Sequence, residues 1–540
     1  MKSFYFFIPY LFVLGAQWFP SKLWFFPGES STYITLSIVM ILIQTLCLFG
    51  KRLGFFNINH NTLERYLLPN WIIASFYFLF MLIFPLRNRS WGDGLLLLET
   101  NLLETKLFGF QFTLDEILES ILHSGLSQLL NTYHITNDPI VSYSILSYGV
   151  GIFFLFGFLH LSKNKPKDLS ILFLLSSGGI LLSFGYSEHY TLVTAVHFGL
   201  YLFLNRYTKA PKDNDILLYG STILVALAML FHLVSGYLAI LLFYLWYVHS
   251  PKEKKIKHLL YNTLLGSLIL IPWFIYFSII HDPTVDKNST HLIHPPFYPM
   301  KRWISLNHFK EITSVLYWNA FLSSFYLFYQ WQFHKDKWKQ FIQRPNHKAL
   351  LVVVFCFFLH GFLHNPQLGF PADWDLMGFY WLPITVLAFL YWNQEKNIDW
   401  EWIPVFVFSV LIVMVSAIKL NESNPKDELV WEITKKAIQT YTEENQSFIQ
   451  SLPKEEKKFF AKGDFLFFKG EYITKQLCDF PEKKILIDKM ILHRKDWKDG
   501  FLKGKFQSKA DLNAFLTEAT KTNVLYLKSL EANMICHPML

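Results

Sequence analysis

Apolar residues fall in long unbroken runs separated by short polar stretches. A helix that crosses a bilayer needs about 20 mostly apolar residues, and the chain offers about thirteen runs near that length. They are Phe4–Phe19, Tyr33–Gly50, Leu68–Leu86, Ile140–Leu161, Leu169–Phe184, Tyr190–Asn205, Ile216–Val234, Gly236–His249, Leu259–Ile280, Ile312–Gln330, Ala349–Leu363, Met377–Trp392 and Ile403–Leu420. The pattern predicts an all-α polytopic membrane bundle over residues 1–420. The first run follows Lys2 and lacks a small-x-small cleavage signal, so it reads as an uncleaved helix. After Leu420 the pattern changes. Asn424-Pro425 suits a helix N-cap followed by Pro at the first helical position, with the helix running to about Gln450. Asp464–Phe468, Lys484–Asp488 and Val524–Lys528 read as strands, and Lys509–Thr520 as a helix. That alternation predicts a small α/β domain over residues 421–540.

The polar stretches divide by charge. Basic residues prefer the cytoplasmic side of a membrane. With the N-terminus inside, the inner loops carry Lys51, Arg52 and Arg65; Lys163, Lys165 and Lys167; Arg206, Lys209 and Lys212; Lys252, Lys254, Lys255 and Lys257; and Lys335, Lys337, Lys339, Arg344 and Lys348. The short outer turns Gly185–His189 and Asn365–Leu376 carry no Lys or Arg. This alternation predicts a multi-pass plasma (inner) membrane protein with a cytoplasmic N-terminus and an extracytoplasmic C-terminal domain.

Composition agrees with a bilayer partner. Of 540 residues, 52% are hydrophobic and 17% charged, against about 25% charged in soluble domains. The mean hydropathy is +0.27. The 55 Phe, 27 Tyr and 17 Trp suit lipid-facing helices and membrane interfaces. The net charge of +8 is spread over short loops and the tail, with no aromatic-basic stripe, which sets nucleic-acid binding aside. Cys47 and Cys356 sit inside apolar runs as small core residues. Cys478 and Cys536 are able to pair in an oxidising compartment, and spacing alone does not decide it.

The candidate chemistry gathers on the outer side. Asp93, between glycines in Arg89-Ser90-Trp91-Gly92-Asp93-Gly94, suits a catalytic base on a loop at the lipid boundary. Gly-Asp-Gly is also good turn chemistry. Glu188-His189 stands at the outer end of a helix, where an acidic residue is either interfacial or functional. Asp373-Trp374-Asp375 precedes a helix: the carboxylates suit the helix dipole, or hold sugar hydroxyls or a divalent cation, with Trp374 as a stacking plate. His232 is placed to contact a phosphate when protonated. His360 and His364 have the i, i+4 spacing of a metal pair, without an obvious third ligand. The loop His281–Lys310, with His291, His294, Lys301 and Arg302, either covers a substrate or is a solvated interfacial loop.

Three segments carry a resemblance: Trp91-Gly92-Asp93-Gly94, Gly185-Tyr186-Ser187-Glu188-His189-Tyr190 and Pro371-Ala372-Asp373-Trp374-Asp375-Leu376. Together with Lys483–Asp488 and Trp497 in the tail, this layout resembles the C-fold integral membrane glycosyltransferases, protein O-mannosyltransferases among them. The resemblance implies an inverting transfer from a polyprenyl-phosphate sugar donor to a glycan, lipid or protein acceptor. Asp93 would be the base, with Glu188, His189, His232, Asp373, Trp374 and Asp375 binding substrate. Arg87, Arg89, His232, Lys301 and Arg302, or a divalent cation (Mg or Mn), would stabilise the leaving phosphate. The layout departs from the family in placing the base after the third helix rather than the first, and in lacking a tandem Asp-Glu beside it. Two other readings stay open: a membrane transporter or flippase, disfavoured because no internal repeat is visible, and an O-antigen ligase or polymerase using the His281–Lys310 loop.

Overall fold

A computed structural model describes residues 2–18, 30–53, 67–86, 115–136, 138–208, 214–280, 297–365, 374–395 and 401–421. They belong to the compact unit Met1–Ile280 with Asn288–Asn424. Arg87, Arg89, Asp93, Asp373 and the expected α/β domain beyond residue 421 lie outside the described residues.

The described helices longer than two turns are α1 (Ile8–Trp18), α2 (Ser30–Arg52), α3 (Asn70–Ile83), α4 (Ile117–Thr132), α5 (Ile140–Leu161), α6 (Thr191–Tyr207), α7 (Asn214–Phe231), α8 (Ala239–His249), α9 (Lys255–Ile280), α10 (Leu306–Phe333), α11 (Lys335–Ile342), α12 (Pro345–Leu363), α13 (Trp381–Trp392) and α14 (Trp402–Asn421). Local sequence explains their limits. Pro345 sits in the first turn of α12, where its missing N–H costs nothing. The Ser305 hydroxyl caps α10 by accepting from the His308 N–H at 3.2 Å. Lys51 and Arg52 close α2, favourably placed against the helix dipole.

Five of the spans are long and apolar enough to cross a membrane: Ser31–Arg52, Ile140–Leu161, Lys252–Tyr276, Pro345–Leu363 and Trp402–Asn421. Shorter apolar helices accompany them. Exposed apolar stripes fit a lipid environment. Ile38, Leu42, Leu46 and Phe49 line α2, and Leu260, Leu264, Leu268, Ile271 and Ile275 line α9. A soluble monomer rarely exposes contiguous apolar surface of this kind. The all-α membrane bundle is therefore present, and no strand beyond the isolated Phe297–His364 bridge occurs among the described residues.

Three details differ from the sequence pattern. Leu169–Phe184 is not one helix: a single turn at Leu172–Leu175 gives way to a 3-10 stretch at Gly178–Ser183, all of it buried. The glycines explain the break. A Cβ on Gly178 would lie 2.6 Å from the Trp318 carbonyl, and one on Gly179 would lie 2.3 Å from the Trp381 ring. The run is apolar enough to span, but its Ser-Gly-Gly centre serves close backbone approach instead. The break expected at Ser235-Gly236 falls at His232, whose extended backbone separates α7 from the 3-10 stretch Leu233–Leu238. Finally, α4 occupies part of the expected outer loop Arg87–Pro139.

Side-chain and backbone ties sort the helix termini into two ends. At the first, Lys51 pairs with Glu401 at 3.0 Å, Lys337 with Glu395 at 2.8 Å, and Asn346 bonds Asn205 at 2.9 Å. At the second, the Leu86 N–H bonds the Phe184 carbonyl at 2.9 Å, Leu233 bonds Asp115 at 2.9 Å, and Tyr298 bonds Leu363 at 2.9 Å. The second end holds the candidate chemistry.

Candidate active site

The segment Gly185–Tyr190 leads into α6 and organises the second end. Gly185 has φ +97°, the left-handed region that favours glycine, and a Cβ there would lie 2.8 Å from the Leu86 carbonyl. Its N–H donates to the Ser147 hydroxyl of α5 at 2.9 Å. The turn is thus fixed against both α5 and the residue that immediately precedes Arg87.

Tyr186 then reaches across to the last of the three resemblance segments. Its hydroxyl donates to Asp375 Oδ2 at 2.8 Å, while Asp375 Oδ1 accepts from the Leu376 N–H at 2.8 Å. Burial, then the negative charge of Asp375, pushes the Tyr186 hydroxyl well above its ordinary range, so it remains a donor. Trp374 is fully buried, with its ring against Tyr186 and Trp318 and its carbonyl accepting from Asn319 Nδ2 at 3.1 Å. The expected stacking plate therefore offers no exposed face here, and Asp375 is locked by two donors. Glu188 is buried close enough to Tyr186 to act on its hydroxyl.

His189 points the other way, toward α4. Its Nδ1 lies 2.7 Å from Glu116 Oε2 and its Nε2 lies 2.8 Å from the Tyr143 hydroxyl of α5. His232 meets the same carboxylate, with Nε2 at 3.4 Å from Glu116 Oε1, while its Nδ1 accepts from the Val234 N–H at 3.1 Å. An Nδ1 that accepts leaves the His232 proton on Nε2, facing Glu116. Burial alone would raise the Glu116 carboxyl, but His189 and His232 overcome it and hold the group down at about 2.

Three residues further along α4, Glu119 is fully buried and accepts from the Leu192 N–H at 2.9 Å, capping the N-terminus of α6 from a different helix. Burial pushes its carboxyl well up despite that bond. His123 is buried, stacked on Tyr143 at 3.9 Å, and driven down by burial. Two carboxyls on one helix face are thereby set in opposite directions, an arrangement common where acid and base roles are divided.

No family model matches the chain, and no curated protein matches it. Among solved structures the chain is similar to ArnT from Cupriavidus metallidurans. The apo structure is 11% identical, with 87% of this chain and 77% of that chain covered and a TM-score of 0.36. The structure bound to undecaprenyl phosphate is 10% identical, with 86% and 76% covered and a TM-score of 0.35. The remoteness of both leaves the chain's own residues to decide its chemistry.

Of the sequence candidates, Glu188, His189, His232, Trp374 and Asp375 meet around Gly185–Tyr190 and its neighbours. Lys301 and Arg302 stand apart, on the turn Met300–Trp303 before α10. Arg302 pairs with Glu311 and lies 5.6 Å over the Tyr298 ring, and Lys301 is exposed. The His360 and His364 rings lie 4.6 Å apart, tilted at 44°, with the Tyr237 hydroxyl 3.1 Å from His364 Nδ1. Among the described residues no group of three or more His, Cys, Asp or Glu is arranged to hold a metal ion. Glu116, Glu119, His123 and Tyr143 are absent from the sequence reading. The i, i+3, i+7 spacing of the first three marks one helix face, and that signal is lost when residues 87–139 are read as a loop.

Proposed function

We propose that the chain is an integral membrane glycosyltransferase that moves a sugar from a polyprenyl-phosphate carrier to an extracytoplasmic acceptor hydroxyl, with inversion. The observation that carries this reading is the Tyr186–Asp375 bond of 2.8 Å, which joins two of the three resemblance segments across 189 residues of sequence. The residues flanking the third segment support it too. Leu86 is bonded to Phe184 and Asp115 to Leu233, so both sides of the stretch that contains Asp93 are anchored at this end of the bundle.

In the proposed reaction Asp93 accepts the proton of the acceptor hydroxyl as its oxygen attacks the anomeric carbon. The bond from that carbon to the phosphate oxygen breaks, and the lipid phosphate leaves with the electron pair. Arg87, Arg89, Lys301 and Arg302 are the cations proposed to stabilise its charge. His189 and His232 take a different part from the one the sequence suggests: both are committed to Glu116 and serve to order the site. Asp375 and Tyr186 act as a brace between the Gly185–Tyr190 turn and the short helix Trp374–Met377 that precedes α13. A divalent cation would supply further neutralisation of the phosphate. The transfer proposed is O-mannosyltransferase-like and takes place at the plasma (inner) membrane.

The test is transfer from a panel of polyprenyl-phosphate sugars by purified protein, with Asp93→Asn alongside. Transfer by the wild type and a loss of about 10²- to 10⁴-fold in the variant are expected for a missing general base. Transfer that survives the substitution would remove Asp93 from the role. Absence of transfer with every donor would remove the glycosyltransferase reading and favour transport.

A further inference from the structure

The hydrogen-bond valences around Glu116 indicate which group is left to meet a ligand. His189 has two ring nitrogens, and both are engaged, by Glu116 at 2.7 Å and Tyr143 at 2.8 Å. His232 is engaged by the Val234 N–H at 3.1 Å and faces Glu116 at 3.4 Å. A carboxylate offers about four lone-pair sites, and the two imidazoles use one on each oxygen. Glu116 is also the most open of the three, with 14% of its side chain exposed against 6% for His189 and 9% for His232. The spare capacity of this network therefore ends at Glu116.

Charge and burial narrow the class of ligand. The layer behind Glu116 holds Glu119 and His123, both essentially buried. Among the described residues Glu119 Oε2 and both ring nitrogens of His123 have no hydrogen-bond partner, His123 Nε2 lying 3.8 Å from Glu119 Oε1. Among the described residues, this side of the cluster thus presents an ionised carboxylate backed by polar groups and no Lys or Arg. A phosphate brought against Glu116 would meet like charge at short range. A neutral donor would not, and a hydroxyl bonded to a carboxylate gains the strength of a charge-assisted bond.

We infer that Glu116 is a ligand-facing carboxylate that accepts hydroxyl hydrogen bonds from the sugar being transferred, with His189 and His232 as the positioning residues that aim it. This rests on the transferase reading and assigns one of its sugar contacts. It also separates two functions within the site: the sugar lies toward Glu116, and the phosphate lies away from it. No bond is made or broken at Glu116. Its contribution is to substrate affinity and orientation.

The test has two arms. The first is steady-state transfer by Glu116→Gln and His189→Gln, each compared with wild type by thermal melting to exclude unfolding. Loss of a hydrogen bond to a charged acceptor raises the KM for the lipid-linked sugar by about 10- to 100-fold in Glu116→Gln. The effect on kcat is smaller. His189→Gln keeps the carboxylate and raises KM less. An unchanged KM in a folded Glu116→Gln protein, or a larger effect from His189→Gln, overturns the inference while leaving the transferase reading intact. Absence of transfer by the wild type overturns that reading, and the sugar with it.

The second arm needs no substrate. In ¹⁵N-histidine-labelled protein, His189 is expected with its proton on Nδ1 and His232 with its proton on Nε2, assigned through His189→Gln and His232→Gln. Both signals shift in Glu116→Gln. The opposite tautomers, or signals that Glu116→Gln leaves in place, show that the imidazoles do not aim this carboxylate and overturn the inference independently of activity.

Discussion

At one end of the bundle the helices are tied by Lys51–Glu401 and Lys337–Glu395, whose lysine side chains are 50% and 60% exposed. At the other end the ties run through Glu116, Glu119, His189, Tyr186 and Asp375, with hardly any water in contact with them. Exposed ion pairs are worth about 0–1 kcal/mol and are easily replaced. Buried polar groups are different: each costs free energy unless its partners are in place, and a partly satisfied network costs most. A membrane protein that keeps two glutamates and three histidines in one such cluster accepts that cost at a particular place. In the proposed function the second end is the place of chemistry and the first an anchor at the membrane surface, although Asp168, Asn70 and Ser170 form a smaller buried network there too.

Substitutions can break this contrast, and the largest effects are expected beneath the second end. A methyl group on Gly179 would overlap the Trp381 ring, which is itself buried. Gly179→Ala is expected to cost about 3 kcal/mol, measured by chemical or thermal unfolding. A tolerated alanine would mean that the 3-10 stretch has room to shift, and that the Gly185–Tyr190 turn is held less firmly than the structure implies.

Acid gives the next largest effect. The Glu116 carboxyl is held at about 2, below its ordinary 4.5. A depressed carboxyl adds stability that is fully present above pH 4.5 and is lost as pH falls toward 2. The loss is about 3 kcal/mol for this group. Glu116→Gln should flatten that acid limb in stability measured against pH, and an unchanged limb would show that the two imidazoles do not hold the carboxylate.

Glu119 sharpens the comparison from the opposite side. Its carboxyl is pushed up, so it is protonated more readily when folded, and it has no acid limb of the same sign. Glu119→Gln keeps an acceptor for the Leu192 N–H and should change stability by less than about 0.5 kcal/mol. Glu119→Ala removes the cap of α6 and should cost about 1–2 kcal/mol. At the first end, Lys51→Gln and Lys337→Gln should each cost under about 1 kcal/mol, and less at high salt.

Much of the architecture is legible in the sequence because lipid demands long apolar runs, and those runs are hard to mistake. Ile140–Leu161 has the same limits in sequence and structure. Charge patterning separates the lysine-bearing helix ends from the others for the same reason. What escapes is local. Leu169–Phe184 has the composition of a span, but Gly178 and Gly179 are there for contact with Trp318 and Trp381, which lie far away in the chain. The candidate site is half legible. Glu188, His189 and Asp375 stand out as polar residues beside apolar runs, whereas Glu116 and Glu119 sit in a stretch that reads as a loop. His189 and His232 stand out as well, and yet the carboxylate they share, Glu116, does not, since ring valences are settled by neighbours that one-dimensional spacing does not reveal.

The proposed sugar transfer at the buried polar end is tested most directly by one comparison of transfer rates from polyprenyl-phosphate sugars. Asp93→Asn and Glu116→Gln are each expected to lose at least about tenfold in kcat/KM, while Lys51→Gln and Lys337→Gln stay close to wild type. Full activity in both second-end variants, or comparable losses at the lysine end, would contradict it.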